Sequence, residues 1–353
     1  MSSPHEQVTY RMEIQRVSDG TFFPAGEVPA GYMQEGRDQT VFLGQRRGVV
    51  GPDASDIAVV EEPVFAEDKL IAGVSMTVNG SSNGRAEKIF TLDLFADYAR
   101  MRALGLAKQG LLEKDTKYSY RVFADMTNGN GTPASAAGVV AKVRRKPLPL
   151  VPGKLADWLP HAKPVGPMIE GDFPLFFTER ALELSREYSR KPGDKEGGAM
   201  MLGTLYQQTE PEPEIFAVVD DVLEARYAEQ QTLSLDLTTE TWAYFQTQLA
   251  LRRTRLGKVN ELPIAFGHGH NFVPQVKEGA EPCGECHLRG SCAFSSSFYS
   301  TRDTEFHRAL FCRQPYAVGL VWGYTTKKED DLKVFCLEGS QPRRRGYYQV
   351  VNT

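Results

Sequence analysis

The chain has 353 residues, of which 41% are hydrophobic and 24% charged, a globular composition that excludes collagen-like, disordered and disulfide-dense proteins. It carries 41 Lys and Arg against 45 Asp and Glu, and its net charge of -4 and pI of about 6.0 argue against a strongly basic nucleic-acid-binding protein. The length is about twice that of a typical domain, so we expect two domains.

The N-terminal residues show no targeting pattern. They lack a positively charged segment followed by an apolar one, so we expect no secretory signal. The longest apolar segments, such as Ala317 to Trp322, fall far short of the ~18 residues that a membrane helix needs. We therefore expect a cytoplasmic protein with no membrane partner.

Residues 1–143 are predicted to form a β-rich accessory domain. Apolar residues recur at 74–78 and again at 89–92, on either side of an Asn-Gly turn, which predicts a β-hairpin. Residues 118–124 alternate between apolar and polar and predict another strand, while helical spacing over 94–104 predicts a helix. This region contains no catalytic motif, so its role is left open.

Proline is concentrated in residues 144–167, which contain six prolines. Because proline removes a backbone donor and fixes an extended backbone, we predict a semi-rigid linker here. The second domain then spans residues 168–345. Its apolar patterns alternate between strands and helices, which predicts a mixed α/β domain. In order, the predicted elements are the strand Phe173–Phe177, a helix capped by Thr178, the strands Gly198–Gly203 and Ile215–Val219, the helix Thr239–Arg253, the strand Pro263–Phe266, a helix from about Asp303, and the strand Ala317–Trp322.

Two histidines, His268 and His270, directly follow the predicted strand Pro263–Phe266. We expect the neighbouring glycines, Gly267 and Gly269, to let the chain leave regular pleating, so that both imidazoles point in one direction. Neutral imidazole is a common zinc ligand. A bare His-x-His also occurs in ordinary loops, so a metal site needs further ligands elsewhere in the chain.

Those further groups are found at Ser300, Asp303 and Glu196. Asp303 stands where a helix is predicted to begin and offers an anionic third ligand, which leaves a fourth position for water as in catalytic zinc sites. Ser-x-x-Asp is equally a common helix N-cap pattern. Glu196 immediately precedes a glycine-bounded apolar strand, and it is either a solvated turn residue or a general base.

The order of Glu196, His268-x-His270 and Ser300-x-x-Asp303 resembles the JAMM signature of MPN/JAB-domain metallopeptidases. The resemblance covers roughly residues 168–345. It includes the strand and helix before the glutamate, the small-residue strand after it, and the helix before the histidines. The resemblance implies an MPN-type fold, in which a cytidine-deaminase-like β-sheet is flanked by helices.

The resemblance also implies a role for each motif residue. His268, His270 and Asp303 would hold a catalytic Zn²⁺ and a water molecule. Glu196 would accept the proton of that water and pass it to the leaving amine, and Ser300 would donate a hydrogen bond to the oxyanion. The implied activity is that of a zinc metalloprotease or isopeptidase, which cleaves a peptide or isopeptide bond at the C-terminus of ubiquitin or a ubiquitin-like protein.

The sequence departs from the family pattern in two places. The residue after the second histidine is Asn271, where family members have proline. In addition, 29 residues separate His270 from Ser300, many more than in the family, and we interpret about 272–298 as an insert. The insert contains Cys283, Cys286 and Cys292, a spacing typical of half a structural zinc site. Its fourth ligand is left open among His287, His307 and Cys312, and free thiols or an iron–sulfur cluster are the alternatives.

Three other functions compete with a general isopeptidase. One is a protease that trims the precursor of a sulfur carrier or modifier. Another is a catalytically silent MPN scaffold for protein–protein interaction, but such scaffolds lack some ligands and all five functional positions are present here. The third is a nucleic-acid-binding protein with a cysteine zinc knuckle, which the acidic composition disfavours. The substrate and the oligomeric state are left open.

Overall fold

The structure is a computed structural model that describes residues 7–80, 84–113, 116–127, 138–276 and 294–351. Its architecture is mixed α/β, as the sequence predicts. The chain divides into two units. Unit 1 comprises Met1–Pro147 and Glu338–Gln341, and unit 2 comprises Leu148–Leu337 and Pro342–Thr353. Within the described ranges, no helix combines the length and the apolar character needed to cross a membrane.

Unit 1 contains seven strands in its described residues: β1 Gln7–Arg16, β2 Phe22–Glu27, β3 Asp56–Glu67, β4 Leu70–Asn79, β5 Arg85–Thr91, β6 Tyr118–Thr127 and β7 Val139–Arg144. They form an antiparallel sheet in the order β2-β1-β6-β4-β3-β7, with β5 paired to β4. The predicted hairpin is confirmed, because Val74 of β4 lies opposite Phe90 of β5. The helices are α1 Gln34–Arg46 and α2 Ala96–Lys108, each preceded by a short 3-10 helix, Ala30–Met33 and Leu92–Phe95 respectively.

The core of unit 1 follows the period-two pattern of its strands, since Tyr10, Met12 and Ile14 of β1 are all buried. Helix α1 has no counterpart among the predicted elements. Its buried positions include Asp38, Thr40, Gln45 and Arg46, so it lacks the apolar periodicity by which a helix is predicted. Helix α2 is confirmed, and Tyr98 of the predicted apolar spacing is buried. Met101 and Leu104 of that spacing are exposed, and Ala99 and Ala103 are buried instead.

The strands of unit 2 are β8 Leu150–Pro152, β9 Ala162–Val165, β10 Leu175–Thr178, β11 Gly198–Gln208, β12 Glu214–Glu224, β13 Glu229–Gln231, β14 Ser234–Asp236, β15 Glu261–Gly269, β16 Val318–Tyr324, β17 Asp330–Glu338, β18 Gln341–Arg345 and β19 Tyr347–Val350. They form a sheet in the order β18-β17-β16-β15-β11-β12-β10-β19-β9, with β8 paired to β11, and a separate hairpin of β13 and β14. The helices are α3 Glu179–Arg190, α4 Thr239–Arg255 and α5 Thr301–Leu310, with 3-10 helices at Leu155–Asp157 and Leu159–His161.

The prediction of a linker over residues 144–167 is wrong for most of that segment. Strand β8 pairs with β11, and β9 pairs with β19 at the edge of the unit 2 sheet. Trp158, between these strands, packs against Phe176 with a ring-centroid distance of 6.1 Å. Proline is tolerated in edge strands because one side of the strand needs no ladder hydrogen bonds, so proline density alone does not define a linker.

The predicted order of elements in unit 2 is confirmed, with most elements longer than expected. Thr178 caps α3, as predicted, by accepting a hydrogen bond from the Ala181 N–H at 3.2 Å. Strand β15 lies between β11 and β16. Phe266 of β15 packs into a cluster with Phe245 of α4, so α4 covers this face of the strand. The next residue, Gly267, faces Ser185 of α3 on the opposite side.

Candidate metal centre

Strand β15 extends through Gly269, so His268 lies in regular strand structure and shares a face with Phe266. The expectation that the glycines release the chain from its pleat is therefore wrong. They are needed for space: a Cβ on Gly267 would lie 2.4 Å from Ser185 Oγ, and one on Gly269 would lie 2.6 Å from Ser189 O. The two glycines let α3 pack closely against the back of the strand that presents the histidines.

His268, His270 and Asp303 form a cluster whose side-chain donor atoms all lie within 4.8 Å of one another. His268 Nε2 is 3.2 Å from His270 Nε2 and 3.2 Å from Asp303 Oδ1. His270 Nε2 is 3.8 Å from Asp303 Oδ2. Two imidazole nitrogens and a carboxylate that converge on one point are a donor set that could hold a divalent metal ion.

Asp303 reaches the cluster through the first turn of α5. Ser300 is the N-cap residue of this helix, and its Oγ accepts a hydrogen bond from the Asp303 N–H at 3.1 Å. In return, Asp303 Oδ2 accepts from the Ser300 N–H at 2.7 Å, which completes a capping box. The two interpretations of Ser-x-x-Asp are therefore compatible: one carboxylate oxygen caps the helix while the other faces His268.

Ser296 fixes the orientation of His270. Its carbonyl oxygen lies 2.7 Å from His270 Nδ1 and its hydroxyl donates to the His270 carbonyl oxygen at 3.1 Å. A backbone carbonyl can only accept, so Nδ1 carries the proton and Nε2 presents its lone pair to the cluster. This is the tautomer that metal binding through Nε2 requires.

The electrostatics of the cluster favour a negative carboxylate between two buried imidazoles. Burial and then the neighbouring His268 lower the pKa of His270 to about 4, so this ring is neutral at pH 7. Burial also disfavours a proton on His268, but the Asp303 carboxylate outweighs it and raises the pKa of His268 above its usual value. Burial opposes ionisation of Asp303 as well, yet His268 holds the pKa of this carboxyl well below its usual range.

Glu196 lies beside the cluster, with Oε1 at 3.8 Å from His270 Nε2. The residue is only 5% exposed, although Lys195 before it is on the surface. Burial raises the pKa of Glu196 to about 7, with His268 acting against this shift and Asp303 adding to it. The interpretation of Glu196 as a solvated turn residue is therefore wrong, and its carboxyl is able to exchange a proton near neutral pH.

These groups open onto one cavity of about 480 Å³. Glu196, His268, Ser300 and Asp303 form its polar side. At its rim, Arg302 forms an ion pair with Asp236 of β14, with N–O distances of 2.5 and 2.6 Å. Among the described residues, the remaining lining is mostly apolar. It comes from the β13–β14 hairpin, β15, α5 and the loop residues Phe272 and Phe298, and its members are Leu233, Leu235, Phe266, Phe272, Phe298, Phe306 and Ala309.

Comparisons with known proteins give no assignment. No protein family model matches the chain, and no curated protein matches it. Among solved structures, the chain is similar to the solution structure of protein DSY2949 from Desulfitobacterium hafniense, with a TM-score of 0.29 and 12% identity. That similarity covers 48% of this chain and 89% of the other. A likeness at this level bears on neither fold nor function.

The structure thus brings together all five residues of the predicted catalytic centre. The predicted second metal site is a different case, because Cys283, Cys286 and Cys292 lie outside the described residues, as does His287. Of the other candidates for its fourth ligand, Cys312 is an exposed free thiol. His307 is buried, and its Nδ1 lies 2.9 Å from the Tyr299 hydroxyl. A structural zinc in the insert stays a prediction.

Two residues of the centre have no counterpart in the predicted site. Ser296 orients His270, and Asn271 makes hydrogen bonds behind the site to Ser189 and Lys195. Asn271 stood out in the sequence only as a departure from the family's proline. For Ser296 the one available signal is that residues 295–297 are three consecutive serines, all of which are buried.

Proposed function

We propose that the chain is a zinc-dependent metallopeptidase of the JAMM type, which hydrolyses a peptide or isopeptide bond at the C-terminus of a ubiquitin-like protein. One observation carries the proposal. Two imidazoles, a carboxylate and a second carboxyl with a raised pKa converge in one cavity of unit 2. These are the groups that metal-assisted hydrolysis requires, in the chain order of the family that the sequence resembles.

The donor distances suit zinc. A tetrahedral zinc site with metal–ligand distances of about 2.0–2.2 Å holds neighbouring ligand atoms roughly 3.3–3.6 Å apart. Two distances lie close to this spacing: His268 Nε2 is 3.2 Å from His270 Nε2 and 3.2 Å from Asp303 Oδ1. The 3.8 Å distance from His270 Nε2 is to the other carboxylate oxygen of Asp303, Oδ2. Three protein ligands leave one position for water, as in catalytic rather than structural zinc sites. When bound, zinc lowers the pKa of water to about 7 and polarises a carbonyl group.

Glu196 is the general base in this proposal. Its carboxylate lies next to His270 but is not part of the three-residue donor cluster, so it is available to take a proton from the attacking water. In the metal-free site, burial raises the pKa of Glu196 to about 7, and a bound Zn²⁺ would act against this shift and favour the carboxylate. In this proposal the carboxylate takes the proton of the water, and the same group then gives it to the leaving amine.

Ser300 and α5 stabilise the negative charge that develops on the scissile carbonyl oxygen. Ser300 lines the cavity, its Oγ accepts from the Asp303 N–H, and its side chain also hydrogen-bonds the Asp303 carboxylate. In this proposal the Ser300 hydroxyl donates to the oxyanion once the substrate is in place. The positive end of the α5 macrodipole lies at the same place and adds to this stabilisation.

The substrate is inferred from the family resemblance, together with the open cavity beside His268. An extended C-terminal tail of the modifier would enter this cavity, and it would gain main-chain hydrogen bonds by pairing with a neighbouring strand edge. A silent MPN scaffold is the weaker proposal, since a scaffold gains nothing from a buried glutamate beside a complete donor set.

Cleavage assays on purified protein test the function. Wild-type protein with zinc is incubated with ubiquitin and ubiquitin-like fusions, both linear and isopeptide-linked, and products are identified by mass spectrometry. We expect cleavage directly after the modifier's C-terminus, and no cleavage by Glu196→Gln although this variant still binds zinc. Asn260→Ala, in the turn before β15, serves as the control. Full activity in Glu196→Gln would refute the general base.

A further inference from the structure

Asn271 directly follows the second histidine of the site and uses its whole amide group behind it. Its Nδ2 donates to the carbonyl oxygens of Ser189, at 2.8 Å, and Lys195, at 2.6 Å. Its Oδ1 accepts a hydrogen bond from the Arg190 guanidinium. A guanidinium only donates and a carbonyl only accepts, so these partners allow a single orientation of the amide.

Arg190 is itself held in place. Its Nη2 donates to the Gly323 carbonyl oxygen at 2.6 Å and to Asp330 Oδ1 at 3.0 Å. The guanidinium also lies over the Tyr324 ring, with its carbon 3.8 Å from the ring centroid. Arg190, which orients the Asn271 amide, is therefore itself fixed by contacts with strands β16 and β17.

The bond to Lys195 matters because Lys195 immediately precedes Glu196. Residues 191–197 belong to no helix or strand, and the Glu196 N–H donates to the carbonyl oxygen of Gln231 in β13 at 2.8 Å. Asn271 holds the residue before Glu196, and the Gly269 N–H donates to the Gly197 carbonyl oxygen, after Glu196, at 3.0 Å. Gly269 at the end of strand β15 and Asn271 just beyond it thus hold the backbone on both sides of Glu196.

We propose that Asn271 is a positioning residue, which fixes the Glu196 carboxylate relative to His268 and His270. The inference rests on the proposed hydrolysis, in which Glu196 is the general base. It also accounts for the departure from the family pattern. Proline has no side-chain donor and could not bind the Lys195 carbonyl, whereas asparagine ties the segment that carries the base to the strand that carries the ligands.

Asn271→Asp tests the proposal with almost no change in shape. It keeps an acceptor for Arg190 and replaces the two donated hydrogen bonds by repulsion from the Ser189 and Lys195 carbonyl oxygens. Asn271→Ala removes the group altogether. Asn260→Asp is the matched control. Three quantities are measured for each variant. Zinc affinity is measured by chelator competition, and kcat and KM are measured on the cleaved fusion. The pH dependence of the visible absorption spectrum is recorded with Co²⁺ alone.

We expect both Asn271 variants to bind zinc within about threefold of wild type and to keep KM, while kcat falls by about 10- to 100-fold, since small misplacement of a reacting group has effects of this size. The midpoint of the Co²⁺ spectral titration should move in the direction seen in Glu196→Gln. Asn260→Asp should match wild type. The Co²⁺ measurement needs no substrate, so it decides the inference even if wild-type protein cleaves no fusion.

Two results would overturn the inference. In the first, Asn271→Asp matches wild type in kcat and in the Co²⁺ titration, so the hydrogen bonds do not position Glu196. In the second, zinc affinity falls as far as kcat, so Asn271 supports the ligands and not the base. A third outcome is that wild-type protein cleaves no fusion while the Asn271 variants shift the midpoint of the Co²⁺ titration as expected. That outcome would refute the proposed substrate and leave the positioning role of Asn271 intact.

Discussion

The two units of the chain both bury charged side chains, but they do so in different ways. In unit 1, Glu61 is 4% exposed and forms a two-contact ion pair with Arg37, at 2.5 and 3.2 Å. In unit 2, Glu196 is 5% exposed, and among the described residues its nearest charged or ring partner is His270, at 3.8 Å. It faces a cavity and not a guanidinium.

This difference distinguishes a buried carboxylate with a structural role from a buried carboxylate at a candidate functional site. A buried carboxylate that meets a bidentate arginine is satisfied by the fold, and its role is to hold two elements together. The buried carboxyl of Glu196, which lies beside two imidazoles and the Asp303 carboxylate, has no arginine or lysine in an ion pair with it among the described residues. In the proposed function, a metal ion completes this cluster.

The largest effect should come from removing each glutamate's charge. We expect Glu196→Gln to reduce turnover by about 10³-fold or more, the scale of general acid–base catalysis, with little change in stability. Glu61→Gln should leave turnover unchanged and lower the free energy of unfolding by about 3 kcal/mol, because it breaks a buried pair. Turnover is measured for both variants, and hydrogen exchange in unit 1 reports the stability of that unit. Equal losses of turnover in Glu196→Gln and Glu61→Gln would show that the two glutamates do not differ in role.

Metal removal should destabilise unit 2 alone. All three tryptophans, Trp158, Trp242 and Trp322, lie in unit 2, so tryptophan fluorescence follows its unfolding selectively. At zinc concentrations about 1,000-fold above the dissociation constant, binding adds about 4 kcal/mol to the free energy of unfolding. A chelator should abolish this increment. The His268→Ala His270→Ala double variant should show no increment at all, and a chelator effect that persists there would point to a different metal site.

His307 provides a contrast within unit 2, because it is a buried imidazole outside the donor cluster. Burial, with a smaller contribution from Arg308, lowers its pKa to about 3 from an ordinary value of 6.5. The unfolded chain therefore binds more protons between these two pH values, and the free energy of unfolding falls as pH falls through that window. We expect His307 to account for about 2 kcal/mol of the loss between pH 7 and pH 5.

The variant His307→Gln should lack this part of the acid sensitivity, as measured by denaturant unfolding at pH 7 and pH 5. His161 is exposed, so His161→Gln should behave like wild type. Identical pH dependence in wild type and His307→Gln would show that another group is responsible for the acid sensitivity.

The smallest effect should come from Ser296, whose hydroxyl donates to the His270 backbone. Ser296→Ala keeps the carbonyl that sets the His270 tautomer and loses the hydroxyl, which donates to the His270 carbonyl oxygen and accepts from the Tyr324 N–H at 2.8 Å. We expect about tenfold weaker zinc binding, at the low end for groups that support a metal ligand. Ser297→Ala is the control, since the Ser297 hydroxyl contacts Asp331 instead. Equal losses in both variants would show that the buried serines act on stability and not on His270.

The parts of the site that could be predicted from the sequence are those with a local pattern. His268-x-His270 follows from the period of a strand, and Ser300 with Asp303 follows from the spacing of a helix cap. The supporting contacts have no such pattern. Ser296 is 26 residues from His270, and Asn271 reaches partners 76 and 82 residues away. Only the folded chain brings these residues together.

The same reasoning explains the errors in the fold. Helix α1 buries polar residues such as Asp38 and Gln45, so an apolar period could not indicate it. The prolines of 144–167 predict a linker by their density, whereas the strands β8 and β9 form there by pairing with β11 and β19, which are distant in the sequence. The order of strands and helices in unit 2 was predictable because its cores follow apolar spacing, with caps such as Thr178 marking the helix start.

The most direct test of the proposed zinc site is an anomalous difference map, recorded at the zinc absorption edge, from crystals of the zinc-loaded protein. We expect a peak within bonding distance of His268 Nε2, His270 Nε2 and a carboxylate oxygen of Asp303, with Glu196 beside it but outside that distance. Fully zinc-loaded crystals in which these side chains are ordered and no peak lies between them would show that His268, His270 and Asp303 do not hold zinc.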